Sequence, residues 1–236
     1  MSRQEARVVM VTGAAGNLGR AVAQAFADAG DRLLLVGLHA DALRAAFGAE
    51  AENRLSVPAN LLDRQQAEGA VKAALDRFGR LDVLCHLAGG FRMGEAVHET
   101  SDETWEFLSD LNLRTFLNAA RAAVPALLGA GGGGKIVAVG AAAAVRGAAQ
   151  MGAYCATKAG VVRLVEAMSA ELRERRVNVN CVLPSIIDTQ ENRRAMPDAD
   201  PSRWVTPEAL ADVIAFLASD AARAVHGVAL PVTGLV

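Results

Sequence analysis

Aromatic residues are scarce in this 236-residue chain: two tryptophans, seven phenylalanines and one tyrosine, Tyr154, make up 4% of it. A core so short of rings must be filled by Ala, Val and Leu, which suits helices lying close against a sheet. Lysine is scarce as well, with only Lys72, Lys135 and Lys158 among 24 basic residues. The three cysteines, Cys85, Cys155 and Cys181, are odd in number and widely spaced. That excludes a disulfide framework and a zinc-ligand spacing, so no metal site is expected, and it favours a reducing, cytoplasmic setting. Charge of one sign is missing too, the formal net charge being −2. No field is there to attract nucleic acid or an anionic membrane, and neither is expected as a partner. Apolar runs are short: Ile136–Val145 extends over ten residues, against the roughly 18 that a membrane span needs. The apolar stretch beginning at Val8 is interrupted too soon for a secretory signal.

Hydrophobic residues, by contrast, make up 52% of the chain and charged residues 21%. Below about 250 residues this is enough for one buried core, so a single domain over residues 1–236 is expected. RVVMVT, RLLLVG, RLSVPA, LDVLCHLAG, KIVAVG, VNVNCVLP and GVALPV read as strands. Helical patterns such as NLGRAVAQAFADAG, RQQAEGAVKAALDRFG and PEALADVIAFLAS separate most of them. One long helix is expected over about 101–128 and another from Gln150 to about 175. This alternation predicts an α/β fold, a Rossmann-type three-layer, doubly wound sheet of seven mainly parallel strands. The strands lack polar alternation, as strands buried on both faces do. Two segments break the rhythm. GAGGGGK, Gly129–Lys135, reads as a helix end turning into a strand. DTQENRRAMPDADPSRW is long and polar, and is expected to form a substrate lid at about 188–205.

Chemistry gathers in two places. VTGAAGNLG joins the first strand to a helix, where glycines admit a pyrophosphate to the backbone and the helix N-terminus offers free N–H groups. YCATK places Tyr154 and Lys158 four residues apart, on one face of a helix. A compact lysine ammonium can bond ribose hydroxyls while its charge favours the phenolate, so a tyrosine pKa below the usual ~10 is expected. Cys155, beside the tyrosine, reads as a small buried residue rather than a nucleophile.

In these motifs the chain resembles the short-chain dehydrogenase/reductase family over essentially its full length. The turn departs from that family's TGxxxGxG, since Asn17 stands where the middle glycine falls. HLAGG resembles NNAG, DLNLRT places Asn112 at the catalytic asparagine, and VLPSIIDT resembles the PGxxxT segment. The resemblance implies Tyr154 as acid, Lys158 as its partner on the ribose, and Asn112 as support for a water in the proton path. It implies a cofactor held by Gly13, Gly16, Asn17, Leu18, Gly19, Leu38, His39, Asn60, Leu61, Ala88, Gly89, Tyr154, Lys158, Pro184, Ser185, Ile187 and Thr189. The second strand ends in Gly37, Leu38 and His39, with no acidic residue to repel a 2′-phosphate. Both NADP and NAD fit, with a slight lean to NADP. In similar enzymes the long helices form a homodimer or homotetramer interface.

Most of the family carries a serine thirteen residues before the tyrosine; here that residue is Ala141. Three readings follow. A conjugated acceptor that spreads its own charge would need the serine least, and the dihydropteridine reductase branch, which reduces a quinonoid pterin, shares the missing serine, the GxxGxxG spacing and a similar lid. Alternatively Ser185 or Gln150 stands in as donor, or Arg92 and His98 bind an acidic or acyl substrate, as in a 3-oxoacyl reductase or general ketone and alcohol dehydrogenase. The third is a non-catalytic dinucleotide-binding redox sensor. The first reading is favoured: an NAD(P)H-dependent reductase acting by hydride transfer on a small conjugated or carbonyl substrate.

Overall fold

The computed structural model describes residues 6–131 and 133–236. In chain order the elements are β1 (Val8–Thr12), α1 (Asn17–Asp28), β2 (Arg32–Gly37), α2 (Ala40–Phe47), β3 (Arg54–Pro58), α3 (Arg64–Phe78) and β4 (Val83–His86). They continue with α4 (Asp102–Ser109), α5 (Thr115–Gly129), β5 (Lys135–Val139), α6 (Gly152–Leu172), β6 (Asn178–Pro184), α7 (Gln190–Ala195), α8 (Pro207–Leu217) and β7 (Ala229–Val232).

The strands line up in the order β3-β2-β1-β4-β5-β6-β7. Every ladder is parallel, so the mainly parallel sheet expected from the sequence is parallel throughout. Alternate residues of each strand face opposite sides. Val8 and Met10 join one buried layer with residues of α3, α5 and α6. Val9 and Val11 join the other, with α1 and α8. The chain leaves β1 toward β2 on one side, and β4 lies on the other, so a crevice opens at the carboxyl ends of β1 and β4. Thr12 and His86 face each other in register at that edge.

Two helices differ from expectation. The stretch read as one helix over 101–128 is divided by a π-helical turn, Asp110–Arg114, between α4 and α5. Thr115 Oγ1 donates to the Leu111 carbonyl at 2.7 Å, and the Asn112 amide is drawn across to Gly90. Helix α6 begins at Gly152, not at Gln150, because Gln150 takes a left-handed φ of 60° and so cannot open a right-handed helix. In the GAGGGGK segment α5 ends at Gly129 and β5 starts at Lys135, while residue 132 lies outside the described residues. The expected lid carries α7 and is tied down at its far end, where Trp204 and Val205 are buried and Ile187 bridges Val205.

Candidate active site

The turn after β1 is shaped by contacts that exclude side chains. Gly13 has φ +63°, and a Cβ there would meet the Ala88 nitrogen at 3.0 Å. A Cβ on Gly19 would run into the carbonyl oxygens of Gly13 and Ala14. Gly16 caps α1 through its backbone, with no side chain over the helix end and no acidic residue in the first turn. That leaves a bare positive helix end behind a glycine cradle, which fits a pyrophosphate. Leu18 is half-buried against the core behind the turn. Asn17 does what the family's glycine could not: its Nδ2 donates to Glu191 Oε2 of α7 at 2.9 Å, and its Oδ1 accepts from Arg20. The glycine turn and α7 are thereby linked.

Behind this turn lies a closed hydrogen-bond chain centred on His86. Thr12 Oγ1 accepts from the N–H groups of Leu87 (3.1 Å) and Ala88 (3.2 Å), so its own proton is directed to His86 Nδ1 at 3.1 Å. Thr115 gives its proton to Leu111, so its oxygen accepts from His86 Nε2 at 3.3 Å. A neutral ring with hydrogen on Nε2 satisfies both threonine hydroxyls. Burial, aided by the charge of Lys158, lowers the His86 pKa to about 3.

Tyr154, Thr157 and Lys158 project from the first turns of α6. Lys158 is buried, its Nζ 5.9 Å from the Tyr154 ring centroid and 3.1 Å from the Val139 carbonyl, which accepts from it. A Cβ on Gly89 would lie 2.9 Å from Asn112 Oδ1 and 3.2 Å from Lys158 Nζ, so β4's exit loop, the π-turn and α6 converge there. Asn112 Oδ1 accepts from Gly90 N–H at 2.9 Å, while its Nδ2 donates to the Gly90 carbonyl and to Thr157 Oγ1. Its amide therefore holds the loop to α6. Burial pushes the Tyr154 phenol up to about 12 and holds the Lys158 ammonium down to about 8. The lowered tyrosine pKa expected from the lysine is thus overturned in the protein alone: desolvation of the phenolate by burial is the leading cause of the upward shift.

The remaining residues sort clearly. Leu38 and His39 are exposed at the end of β2. Asn60 Oδ1 accepts from Leu62 N–H within its own turn, and the carbonyl of buried Leu61 accepts from Asn118. Pro184 ends β6. Ser185 is not a spare donor, because its hydroxyl donates to the Thr233 carbonyl at 2.8 Å. Gln150 is exposed, its carbonyl accepting from Gly94. The Ile187 carbonyl accepts from Asn192, and Thr189 caps α7. Arg92 is engaged by Glu103 and Thr104, and His98 lies 3.8 Å from Glu99. Ala141 is buried, its side chain offering no donor. The three cysteines are free and buried, burial raising Cys181 to about 12 and Cys85 further. Among the described residues no group of three or more His, Cys, Asp or Glu side chains comes together, and no helix is long and apolar enough to cross a membrane.

Sequence reasoning missed Thr12, Thr115, Thr157 and Glu191, whose partners are remote in sequence. His86 alone gave a signal, as a histidine at the end of an apolar strand where the resemblance has asparagine.

Comparison with known proteins identifies the family. The profile of the family described as short chain dehydrogenase matches residues 7–200. D-threitol dehydrogenase from Mycolicibacterium smegmatis is 33% identical, the alignment covering 98% of this chain and 93% of that one. (-)-trans-Carveol dehydrogenase from Rhodococcus erythropolis is 30% identical, with 98% of each chain covered. The solved structure of carveol dehydrogenase from Mycobacterium avium in complex with NAD superposes with a TM-score of 0.85 at 27% identity, covering 97% of this chain and 96% of that one. The chain belongs to the short-chain dehydrogenase/reductase family and is an NAD(P)-dependent oxidoreductase.

Proposed function

We propose that the chain reduces a small substrate, either a conjugated one of quinonoid-pterin type or a carbonyl compound, with Tyr154 as the acid. The observation that carries this reading is the convergence of Lys158 and Asn112 at Gly89, with the Tyr154 ring centroid 5.9 Å from Lys158 Nζ, one loop away from the glycine turn. NAD(P)H, when bound, supplies the hydride. The glycine turn and the bare end of α1 would hold its phosphates, and Lys158 its ribose. With a carbonyl substrate the carbonyl carbon takes the hydride and its oxygen the Tyr154 proton, giving an alcohol; with a conjugated acceptor the ring system takes the hydride and a ring heteroatom the proton, giving the dihydro product. A phenol held at about 12 is fully protonated at neutral pH, the state that reduction requires. Asn112 and Thr157 keep the loop and helix in register while the proton moves.

Ala141 bears on the acceptor. An oxyanion donor is worth roughly a hundred- to thousandfold in rate. Since Ser185 is committed elsewhere, an isolated ketone would leave its developing charge with the tyrosine alone, whereas a conjugated acceptor spreads it. Exposed Leu38 and His39 leave room for a 2′-phosphate, so we place NADP slightly ahead of NAD. Exposed Trp105, Phe107 and Leu117 lie on or beside the helices expected at an interface, and we read them as covered in a homodimer or homotetramer. The buried free cysteines suit a reducing, cytoplasmic setting.

The test pairs two variants. Tyr154→Phe should leave NADPH affinity nearly intact and lower turnover by orders of magnitude. Ala141→Ser should raise activity on simple ketones more than on conjugated ones. Unchanged turnover in Tyr154→Phe would remove the tyrosine from the reaction.

A further inference from the structure

We propose that the substrate is a flat cyclic carbonyl compound with a conjugated ring, selected through its apolar faces by Phe91, Met93, Val97 and Val145. This rests on the hydride-transfer reading above and specifies the substrate class for the same site.

The argument begins with the loop between β4 and α4. FRMGEAV, Phe91 to Val97, contains two charged residues and three large apolar ones. Both charges are turned onto α4. Arg92 Nη1 donates to Glu103 Oε1 at 3.1 Å and to Thr104 Oγ1 at 3.4 Å, and its guanidinium stands 4.3 Å from the Phe107 ring centroid. Glu95 accepts from the Ser101 N–H, the Ser101 hydroxyl and the Thr104 hydroxyl. What the loop leaves uncovered is apolar: Phe91, Met93 and Val97 are 55%, 51% and 73% exposed.

This apolar surface adjoins the acid. The Phe91 ring meets Tyr154 edge to face, centroids 4.8 Å apart and planes at 88°. Gly94 N–H donates to the Gln150 carbonyl at 2.9 Å, and Val97 packs on Gly152, so the loop is fastened to the start of α6. The turn of Ala142–Ala144 also packs against α6 and ends at Val145, which is 74% exposed. Arg146 and Gln150, in the same stretch, are also exposed.

A polyol or ketose lying on Phe91, Met93, Val97 and Val145 would lose its water without finding replacement donors and acceptors on those side chains, which penalises it. Arg92 is already held by Glu103 and Thr104, so it is not offered to an acidic substrate. A flat ring, by contrast, covers the exposed apolar side chains and can pack offset or edge-on against Phe91. Conjugation in that ring also meets the shortage of donors at Ala141.

The experiment measures kcat and KM with 2-methyl-1,4-naphthoquinone, 2-cyclohexenone, a four-carbon ketose and an acetoacetyl thioester, after subtracting the protein-free rate. Calorimetric titration of the naphthoquinone into Tyr154→Phe protein, with and without Phe91→Ser, reads recognition without turnover. The ring ketones should exceed the ketose by about a hundredfold in kcat/KM. Phe91→Ser should raise the ring KM and Kd about tenfold with kcat changed far less, and Phe91→Leu should recover most of the loss. A preference for the ketose or thioester, or ring binding indifferent to Phe91→Ser, overturns the proposal and leaves hydride transfer standing. Ring binding that depends on Phe91 without turnover of any acceptor supports the recognition surface and removes the hydride-transfer reading instead.

Discussion

Replacing His86 with asparagine should flatten the acid side of this protein's stability profile. In the fold the ring is enclosed between Thr12 and Thr115, and its pKa falls from 6.5 to about 3. Below pH 6.5 the unfolded chain therefore binds a proton that the folded chain refuses. Because the folded pKa is the lower one, the ring's contribution is complete above 6.5 and is lost as the pH falls toward about 3. At pH 5 the difference comes to about 2 kcal/mol, or roughly 4–8 °C in melting temperature for a domain of this size. His86→Asn removes this titration. Asparagine cannot reach both hydroxyls as the ring does, so the variant should be less stable at pH 8 by about 1–2 kcal/mol. Urea unfolding of both proteins at pH 8 and pH 5 gives the comparison, and carboxylate effects common to the two cancel. The variant should recover about 2 kcal/mol relative to the parent on acidification. Equal pH slopes would refute the neutral, doubly satisfied ring. Acidification that hurts the variant more would refute it as well.

Two other outcomes follow from the site. Gly19→Ala places a methyl against the Gly13 and Ala14 carbonyls, and should cost about 1–3 kcal/mol as overpacking does and abolish NADPH binding. A fluorescence titration showing normal affinity would contradict the cradle. Burial holds Lys158 at about 8, so its charge is lost as pH rises through that value and kcat/KM for reduction should decline there. A profile flat from about pH 7 to 10 would separate the ammonium from the reaction.

Much of the architecture was legible because it depends on local periodicity. Apolar runs such as RLLLVG and NVNCVLP can sit only in strands covered on both faces, and they do. The glycine turn and the Tyr154–Lys158 spacing were visible for the same reason: four residues on a helix define one face whatever surrounds it. The division of α4 from α5 was not legible, since a π-turn depends on Asn112 finding Gly90, 22 residues earlier. Nor was the fate of Ser185, whose hydroxyl is claimed by Thr233, 48 residues later.

The tyrosine marks the boundary most sharply. Sequence by itself determined the seven-strand α/β alternation, the glycine turn after the first strand, the neighbouring phenol and ammonium, and the alanine where a donor is usual. Only the tertiary structure decided their electrostatics. Packing loop 88–91, the π-turn and α6 together removes water from Tyr154, Lys158 and His86 alike, moving the phenol up and the two bases down. Those shifts arise from desolvation, and desolvation is set by which remote residues close over a group.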